Sequence, residues 1–396
     1  MRVRIAHAAT VAAATAMVAL SPATASLAAS SALAGGTSTN AARAVASYQA
    51  LQRYLAVDDG SGLYHERYPV AAGDNAYSYE WPFSQAHAAT LDLTGLPGRQ
   101  GAGFRPDLAA RAAGQQHYWS AAGTTRLPGY ASYPTAPYGT GGDFFYDDNE
   151  WVGLLDVQHY LMDGDQSALT HAEQVFTLVA SGWDSDTSHA DPGGVFWTQA
   201  GWSSDRNTVS NMPGAELGLR LYQITGQRSY LDWSLRMYDW TNRYLLSPDN
   251  LYWDHLGLSG TVEKTYWSYN QGVPVGVNIL LYQITHDRTY LGRAQAVANA
   301  AYDYYVRQAR LATQPPYFNA IFFKNLLLLE SVTGGHAYRE AMAGYAAQVW
   351  TDNRDPHTGL FTFDTDAGAT EAIQQAAMTQ IYAVLAWPPG RCGLLY

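Results

Sequence analysis

The hydrophobic positions of this chain fall on helical spacing along most of its length. Leu217, Leu221 and Ile224 stand at i, i+4 and i+7, and Val277, Leu281 and Ile284 repeat that spacing, which is the period of a helix with one apolar face. Both runs lead into nearly the same words. "LYQITGQRSYL" at Leu221 to Leu231 returns as "LYQITHDRTYL" at Leu281 to Leu291, an offset of 281 − 221 = 60 residues. Each copy turns at "TGQR" or "THDR" and starts another helix, so the repeating unit is a helical hairpin.

Weaker copies follow the same plan: "WVGLLDVQHYLMDGDQSALTHAEQVFTLVASGW" upstream and "FKNLLLLESVTGGHAYREAMAGYAAQVW" downstream. An early pair spans Phe83 to Trp119, and the last helix, "EAIQQAAMTQIYAVLAW", can close on an N-terminal one in "AARAVASYQALQRYLAV". That makes about six hairpins. Strand-like alternation is nearly absent and no Ser/Pro-rich linker divides the chain, which predicts one all-α domain over residues 35–396. Six hairpins without an open edge predict a closed (α/α)6 barrel. The segments "FFYDDNEW", "DRNTVSNMP", "YWSYNQGVP" and "PPYFNAIFF" precede the first helices of successive hairpins. If those helices are equivalent by repeat, their N-termini gather at one rim as a composite cleft, offering free N–H groups and partial positive charge.

The opening "MRVRIAHAATVAAATAMVALSPATASLAASSALAGG" changes the picture of location. Arg2 and Arg4 precede a short apolar run, and small-x-small sites end at Ala25 or Ala34. Residues 1–34 therefore read as a secretory signal peptide and flexible N-terminus. No later run reaches the roughly 18 apolar residues of a membrane span, so a secreted, extracellular monomer is expected. Without residues 1–34 the charged groups are 21 Lys+Arg against 34 Asp+Glu, a net −13. Nucleic acid is an unsuitable partner for such a surface. With only two lysines, Lys264 and Lys324, and no basic cluster, a groove for uronic-acid or sulfated polymers is also disfavoured; a neutral substrate is expected. Cys392 is the single cysteine, so no internal disulfide is expected.

The chemistry concentrates at Asp147 and Asp148 in "FFYDDNEW". Taken alone, the pair has a structural explanation, with Asp147 as N-cap and Glu150 completing a capping box. Tyr146, Asn149 and Trp151 around it supply a stacking face and hydrogen-bonding groups suited to a sugar. Glycoside cleavage needs two carboxyls with opposed duties, about 5–5.5 Å apart in retaining enzymes and 6.5–9.5 Å in inverting ones. Consecutive residues at a helix start can hold the shorter spacing, which predicts retention. Repulsion between close charges raises one pKa while the helix N-terminus favours the other as an anion; sequence leaves open which is which. Asp58 and Asp59 in "AVDDGSGLY" read instead as turn residues. Asp254 precedes "YWSYNQG" and can face the cleft; His255 reads as a surface or packing residue. Trp81, Trp151 and Trp197 are open between core and stacking. Asn207, Asn211, Asn270 and Gln271 are open between capping and ligand binding. No His/Cys cluster suggests a metal, and no cofactor is expected.

Taken together, "YDDNEW" at 146–151, "GGVFW" at 193–197, "RNTVSN" at 206–211 followed by "LYQITG", "YNQG" at 269–272 and "QQAA" at 374–377 resemble glycoside hydrolase family 76, the endo-acting α-1,6-mannanases. The ordered set covers residues 45 to 390. The resemblance implies an (α/α)6 barrel and a retaining double displacement on α-mannosidic bonds of a neutral α-mannan or mannooligosaccharide, with Asp147 as nucleophile and Asp148 as general acid/base. It also implies substrate contacts at Tyr269, Asn270 and Gln271 and at Asn207 and Asn211. Arg206 stands where the family's usual residue is lysine, His255 replaces the glycine after Asp254, and "FNAIF" at 318–322 replaces an "FKGIF"-like element. These departures bear on the outer subsites. Alternatives on the same scaffold are an α-mannan transglycosylase using the same residues and a non-catalytic glycan-binding protein. A polysaccharide lyase is disfavoured by the acidic, lysine-poor chain.

Overall fold

A computed structural model describes residues 22–363 and 368–396, with main chain alone for 22–35. The leader expected over residues 1–34 thus lies largely outside the described residues, joining the first helix only from Pro22. The helices are α1 (Pro22–Leu55), α2 (Glu80–Thr94), the short α3 (Arg99–Ala102), α4 (Arg105–Gln115), α5 (Tyr146–Asp163), α6 (Gln166–Ser181), α7 (Thr208–Thr225) and α8 (Arg228–Tyr244). They continue with α9 (Tyr269–Thr285), α10 (Arg288–Ala301), α11 (Pro316–Thr333), α12 (Ala337–Asp352) and α13 (Ala372–Leu385). Packing contacts run α2 to α5 to α7 to α9 to α11 to α13 and back to α2, a closed inner ring; α4, α6, α8, α10, α12 and α1 pack outside it. The fold is the expected (α/α)6 barrel, closed by α13 against α1 and α2.

The two rings differ in burial for a reason visible in the residues. The inner α11 is buried without interruption from Asn319 to Leu329, because neighbours and barrel interior cover every face. On the outer α10 only Ala294, Val297, Ala298 and Ala301 are buried, the single stripe of a helix with one wet side. Inner helices approach closely. A Cβ on Gly272 would lie 2.6 Å from the Cα of Phe322 in α11, so the glycine of "YNQG" lets two main chains touch. The 60-residue repeat appears as α7–α8 and α9–α10, each turning through a left-handed residue, Gly226 (φ 71°) in one copy and His286 (φ 58°) in the other.

The inner ring also buries charge. Lys324 Nζ lies 2.9 Å from Asp92 Oδ2 with both side chains buried, Gln158 donates to Asp92 Oδ1 at 2.9 Å, and the Lys324 ammonium sits over the Tyr396 ring. Among the described residues no helix is long and apolar enough to cross a membrane.

Strands do occur at the rim, contrary to the pattern reading. The largest sheet pairs Asp205–Asn207 antiparallel with His255–Gly257, which pairs with Val262–Glu263. Strands of two or three residues are too short to show alternation, yet this register places Asn207 opposite His255 and draws two distant acids, Asp205 and Asp254, to one place.

Candidate active site

The inner helices begin at one rim, and the aspartate pair sits in the first turn of α5. The N-cap is Phe145, in extended conformation and without a side-chain cap. The capping explanation of Asp147 therefore fails: the helix starts one residue before it. The start is anchored by the loop carrying "GGVFW", since the Tyr146 amide donates to the Trp197 carbonyl at 2.9 Å. That pairing delivers Trp197 to the carboxyl, and its Nε1 donates to Asp147 Oδ2 at 3.2 Å.

The two aspartates keep a partly accessible edge while protein encloses them otherwise, and their surroundings differ. Burial pushes Asp147 up to about 7, opposed by the Trp197 N–H and by the amides of Asp148 and Asp147, with the Asp205 charge adding a smaller push upward. Asp148 is driven well above the usual carboxylate range by burial, then by Asp147, then by Glu80. No donor offsets it among the described residues. One carboxyl is thus equipped to be an anion, and its neighbour to keep a proton. Glu80 and Glu150, both fully buried, are also pushed well up by burial, with Asp147 a further cause in each.

Beside the pair lies a second polar group. His255 Nδ1 is 3.0 Å from Asp254 Oδ2, and its Nε2 is 3.9 Å from Asp205 Oδ2. Asn270 Nδ2 donates to Asp254 Oδ1 at 3.1 Å. The hydrogen bond to Asp254 raises the His255 pKa. The Tyr269 hydroxyl is also raised well above its ordinary value, by burial and then by the Asp254 and Asp147 charges, which ties this group to the aspartate pair. Asn207, next to Asp205, keeps a buried Oδ1 without a partner. Aromatic walls flank the site. Tyr269 stacks on Phe318 at 3.9 Å and 2°, and Phe318 on Trp81 at 6.0 Å and 29°. Beside Asp147, Trp197 meets Phe145 and Trp202 edge-on, and Trp202 is 57% exposed.

Five candidates do not face this space. Asn149, Asn211 and Gln271 share a structural task. Each amide accepts the N–H and donates to the C=O of one residue in the preceding loop: Asn149 with Tyr130, Asn211 with Val195, Gln271 with Tyr252. Each also donates to the carbonyl four residues back, at Phe145, Asn207 and Trp267. Their polar atoms are spent on main chain and their surface is gone, so they clamp loops rather than bind ligand. Gln375 of "QQAA" is a related clamp that accepts the Phe361 N–H and donates to the Ser47 and Gly359 carbonyls. Trp151 is 1% exposed, in the core. Tyr146 turns toward Gly182, where a Cβ would lie 2.5 Å from its ring. Arg206 is a further clamp, buried against Asp184 at 2.8 Å and donating to the Ala190 and Gly257 carbonyls.

Sequence reading passed over Glu80, quoted Asp205 in "DRNTVSNMP" and Phe318 in "FNAIF" without singling out either residue, and placed His255 elsewhere. Glu80 left a signal of its own: "YEWPF" opens α2 with an acid before tryptophan, as "DDNEW" opens α5. Among the described residues no group of three or more His, Cys, Asp or Glu could hold a metal ion.

Comparison with known proteins places this geometry. Residues 38–382 match glycosyl hydrolase family 76. A mannan endo-1,6-alpha-mannosidase of Candida glabrata is 30% identical over 172 residues, covering 41% of this chain and 34% of the relative; the match thus spans about a third of that relative's length. The structure of a family 76 mannosidase from Bacteroides thetaiotaomicron superposes with TM-score 0.77 at 25% identity, over 88% of this chain and 98% of the other. An α-1,6-mannanase of Salegentibacter, solved as an inactive variant with two consecutive aspartates replaced by asparagine and in complex with α-1,6-mannotriose, has the same fold, with TM-score 0.69 at 18% identity over 88% of this chain and 99% of that one.

Proposed function

This chain belongs to glycosyl hydrolase family 76, and on that premise we propose that it is a secreted, retaining endo-α-1,6-mannanase acting as a monomer on neutral mannan. Residues 1–34 would be its leader and 35–396 its single catalytic domain. The observation that carries the reading is the unequal pair: Asp147, in the first turn of α5, has an indole N–H on its Oδ2 to hold it as an anion, whereas Asp148 has only burial and like charges around it. Asp147 attacks the anomeric carbon as Asp148 gives its proton to the departing glycosidic oxygen. The resulting ester on Asp147 is released when Asp148 takes a proton from water and the hydroxide adds to the anomeric carbon, restoring both groups. Asp254, held by Asn270 and His255, together with Tyr269, Asn207 and Trp81, would contact the sugars. Neutral substrate fits the lysines: Lys324 is buried against Asp92 and Lys264 lies over Trp253.

The test is incubation with linear α-1,6-mannooligosaccharides, following product size and first-formed anomer by NMR. Internal cleavage with α-products supports the proposal; β-products refute retention, and inertness on this linkage refutes the substrate. Asp147→Ala should abolish turnover while keeping mannan binding. Longer products on adding mannobiose would assign the residues to transfer instead.

A further inference from the structure

His255 enters the proposed function only as a support for Asp254, and Asp205 does not enter it at all, yet the small rim sheet aims both at the cleft. Asp205–Asn207 pairs antiparallel with His255–Gly257, with Asp205 opposite Gly257 and Asn207 opposite His255. Successive residues of a strand point to opposite faces. Arg206 and Leu256, a cross-strand pair, turn inward and are 0% and 1% exposed. Asp205 and His255 therefore share the other face as diagonal neighbours, and their side chains keep 19% and 31% of their surface. The Phe196–Arg206 bridge lays the Trp197 loop along the same strand, so this face continues from the indole that bonds Asp147.

Two complementary atoms face each other there without meeting. His255 Nε2 and Asp205 Oδ2 are 3.9 Å apart, beyond hydrogen-bond range. The ring is fixed at its other nitrogen, with Nδ1 3.0 Å from Asp254 Oδ2, and Asp254 is held in turn through Oδ1 by Asn270 at 3.1 Å. The hydrogen bond to Asp254, with the Asp254, Asp205 and Glu263 charges behind it, outweighs burial and raises the His255 pKa, which favours the charged ring in which Nε2 is a donor. An oxygen about 2.8 Å from each of the two atoms spans the gap. A hydroxyl placed there accepts from Nε2–H and donates to the carboxylate, whereas an ether oxygen or an apolar group leaves the carboxylate unpaired.

We propose that Asp205 and His255 form a donor–acceptor couple that recognises one hydroxyl of a mannosyl unit on the glycone side of the scissile bond. The inference rests on the reading of this site as a mannanase with Asp147 as nucleophile. The side follows from the path of the chain: the face carrying the couple leads to Trp197 and so to Asp147, the group that attacks the anomeric carbon of the glycone. The couple determines specificity, because a sugar that lacks the hydroxyl leaves a charged donor and a carboxylate without partners.

The test uses the purified protein and monodeoxy versions of an α-1,6-mannobioside bearing an aryl leaving group, in which both sugars lie on the glycone side. In wild type, loss of one particular hydroxyl should lower kcat/KM by roughly tenfold to a hundredfold, the scale of a hydrogen bond to charged groups. In Asp205→Ala and in His255→Ala, each slower on the parent compound, loss of that same hydroxyl should cost little or nothing more, while every other deoxy position costs what it costs in wild type. The intrinsic reactivity of each deoxy sugar cancels in this comparison, and a variant damaged only in its fold loses rate at every position alike. Losses that add at every position overturn the proposal. So does coupling confined to His255→Ala when both variants fold, since the ring would then act through Asp254. Should one variant not fold, the other decides by whether its losses couple at a single hydroxyl. A wild-type protein inert on the parent compound sinks the functional reading together with this inference; additive losses in an active enzyme sink this inference alone.

Discussion

Replacing Asn211 by leucine separates a loop clamp from a sugar-binding residue. The substitution keeps the side chain's volume and removes three hydrogen bonds: from the Val195 amide at 2.8 Å, to the Val195 carbonyl at 3.3 Å and to the Asn207 carbonyl at 2.8 Å. All lie where Asn211 has no accessible surface. Each bond contributes about 1 kcal/mol net, and a buried main-chain group left without a partner costs about 1–3 kcal/mol. The Val195 N–H and C=O lose the amide together, so a loss of about 2–6 kcal/mol is expected, read by urea unfolding as a lower midpoint at unchanged slope. Kinetics follow from the chain: Val195 is two residues from Trp197, whose indole holds Asp147. Loosening that hydrogen bond to a charged group, worth about 1.5–3 kcal/mol, should lower kcat by about tenfold or more with little change in KM. Stability within about 0.5 kcal/mol of wild type, together with a raised KM, would refute the clamp and restore Asn211 as a ligand residue.

Three further outcomes follow from the same structure. Glu216 is fully buried with neither oxygen bonded and is pushed by burial to about 8 despite Arg220; the folded state binds a proton that the unfolded state gives up, so stability is full below about 4.5 and is lost as pH rises toward 8. Glu216→Gln should remove that slope, about 1.4 kcal/mol per pH unit between those values, as seen in urea titrations across the range. Lys324→Met leaves Asp92 buried without its cation and should cost about 3–5 kcal/mol, much of it recovered by adding Asp92→Leu, as measured by the same unfolding assay. Trp202→Ala removes an exposed face beside Trp197 and should raise KM up to about tenfold for long mannooligosaccharides while leaving the shortest cleaved ones unchanged, stacking being worth about 0.5–1.5 kcal/mol.

Periodicity and self-comparison made the architecture legible. The repeat at Leu221 and Leu281 marks α7–α8 and α9–α10 to within a residue or two, and closure of the last helix on the first follows from the absence of an open edge. The aspartate pair stood out because of its neighbours. What could not be read was direction. An inner helix such as α5 is buried continuously from Asn149 to Gln158, so its pattern does not tell the cleft side from the core side; Trp151 and Tyr146 were misplaced for that reason. Asn149, Asn211 and Gln271 share polarity and a helix start with true ligand residues, and only the loop that each one grips reveals its task. Asp205 reaches the site through a three-residue strand pairing that leaves no local trace, and Glu80 through the helix ring, its one trace being the acid before tryptophan in "YEWPF".

The division of labour between Asp147 and Asp148 is tested most directly by azide rescue on an α-1,6-mannobioside with an aryl leaving group. Asp148→Ala should form its ester readily and yield the α-mannobiosyl azide, because azide displaces Asp147 from the opposite face. Asp147→Ala should yield the β-azide, by direct attack on the substrate. The reversed pair of anomers would exchange the two roles, and hydrolysis undiminished in both variants would contradict the account at its centre.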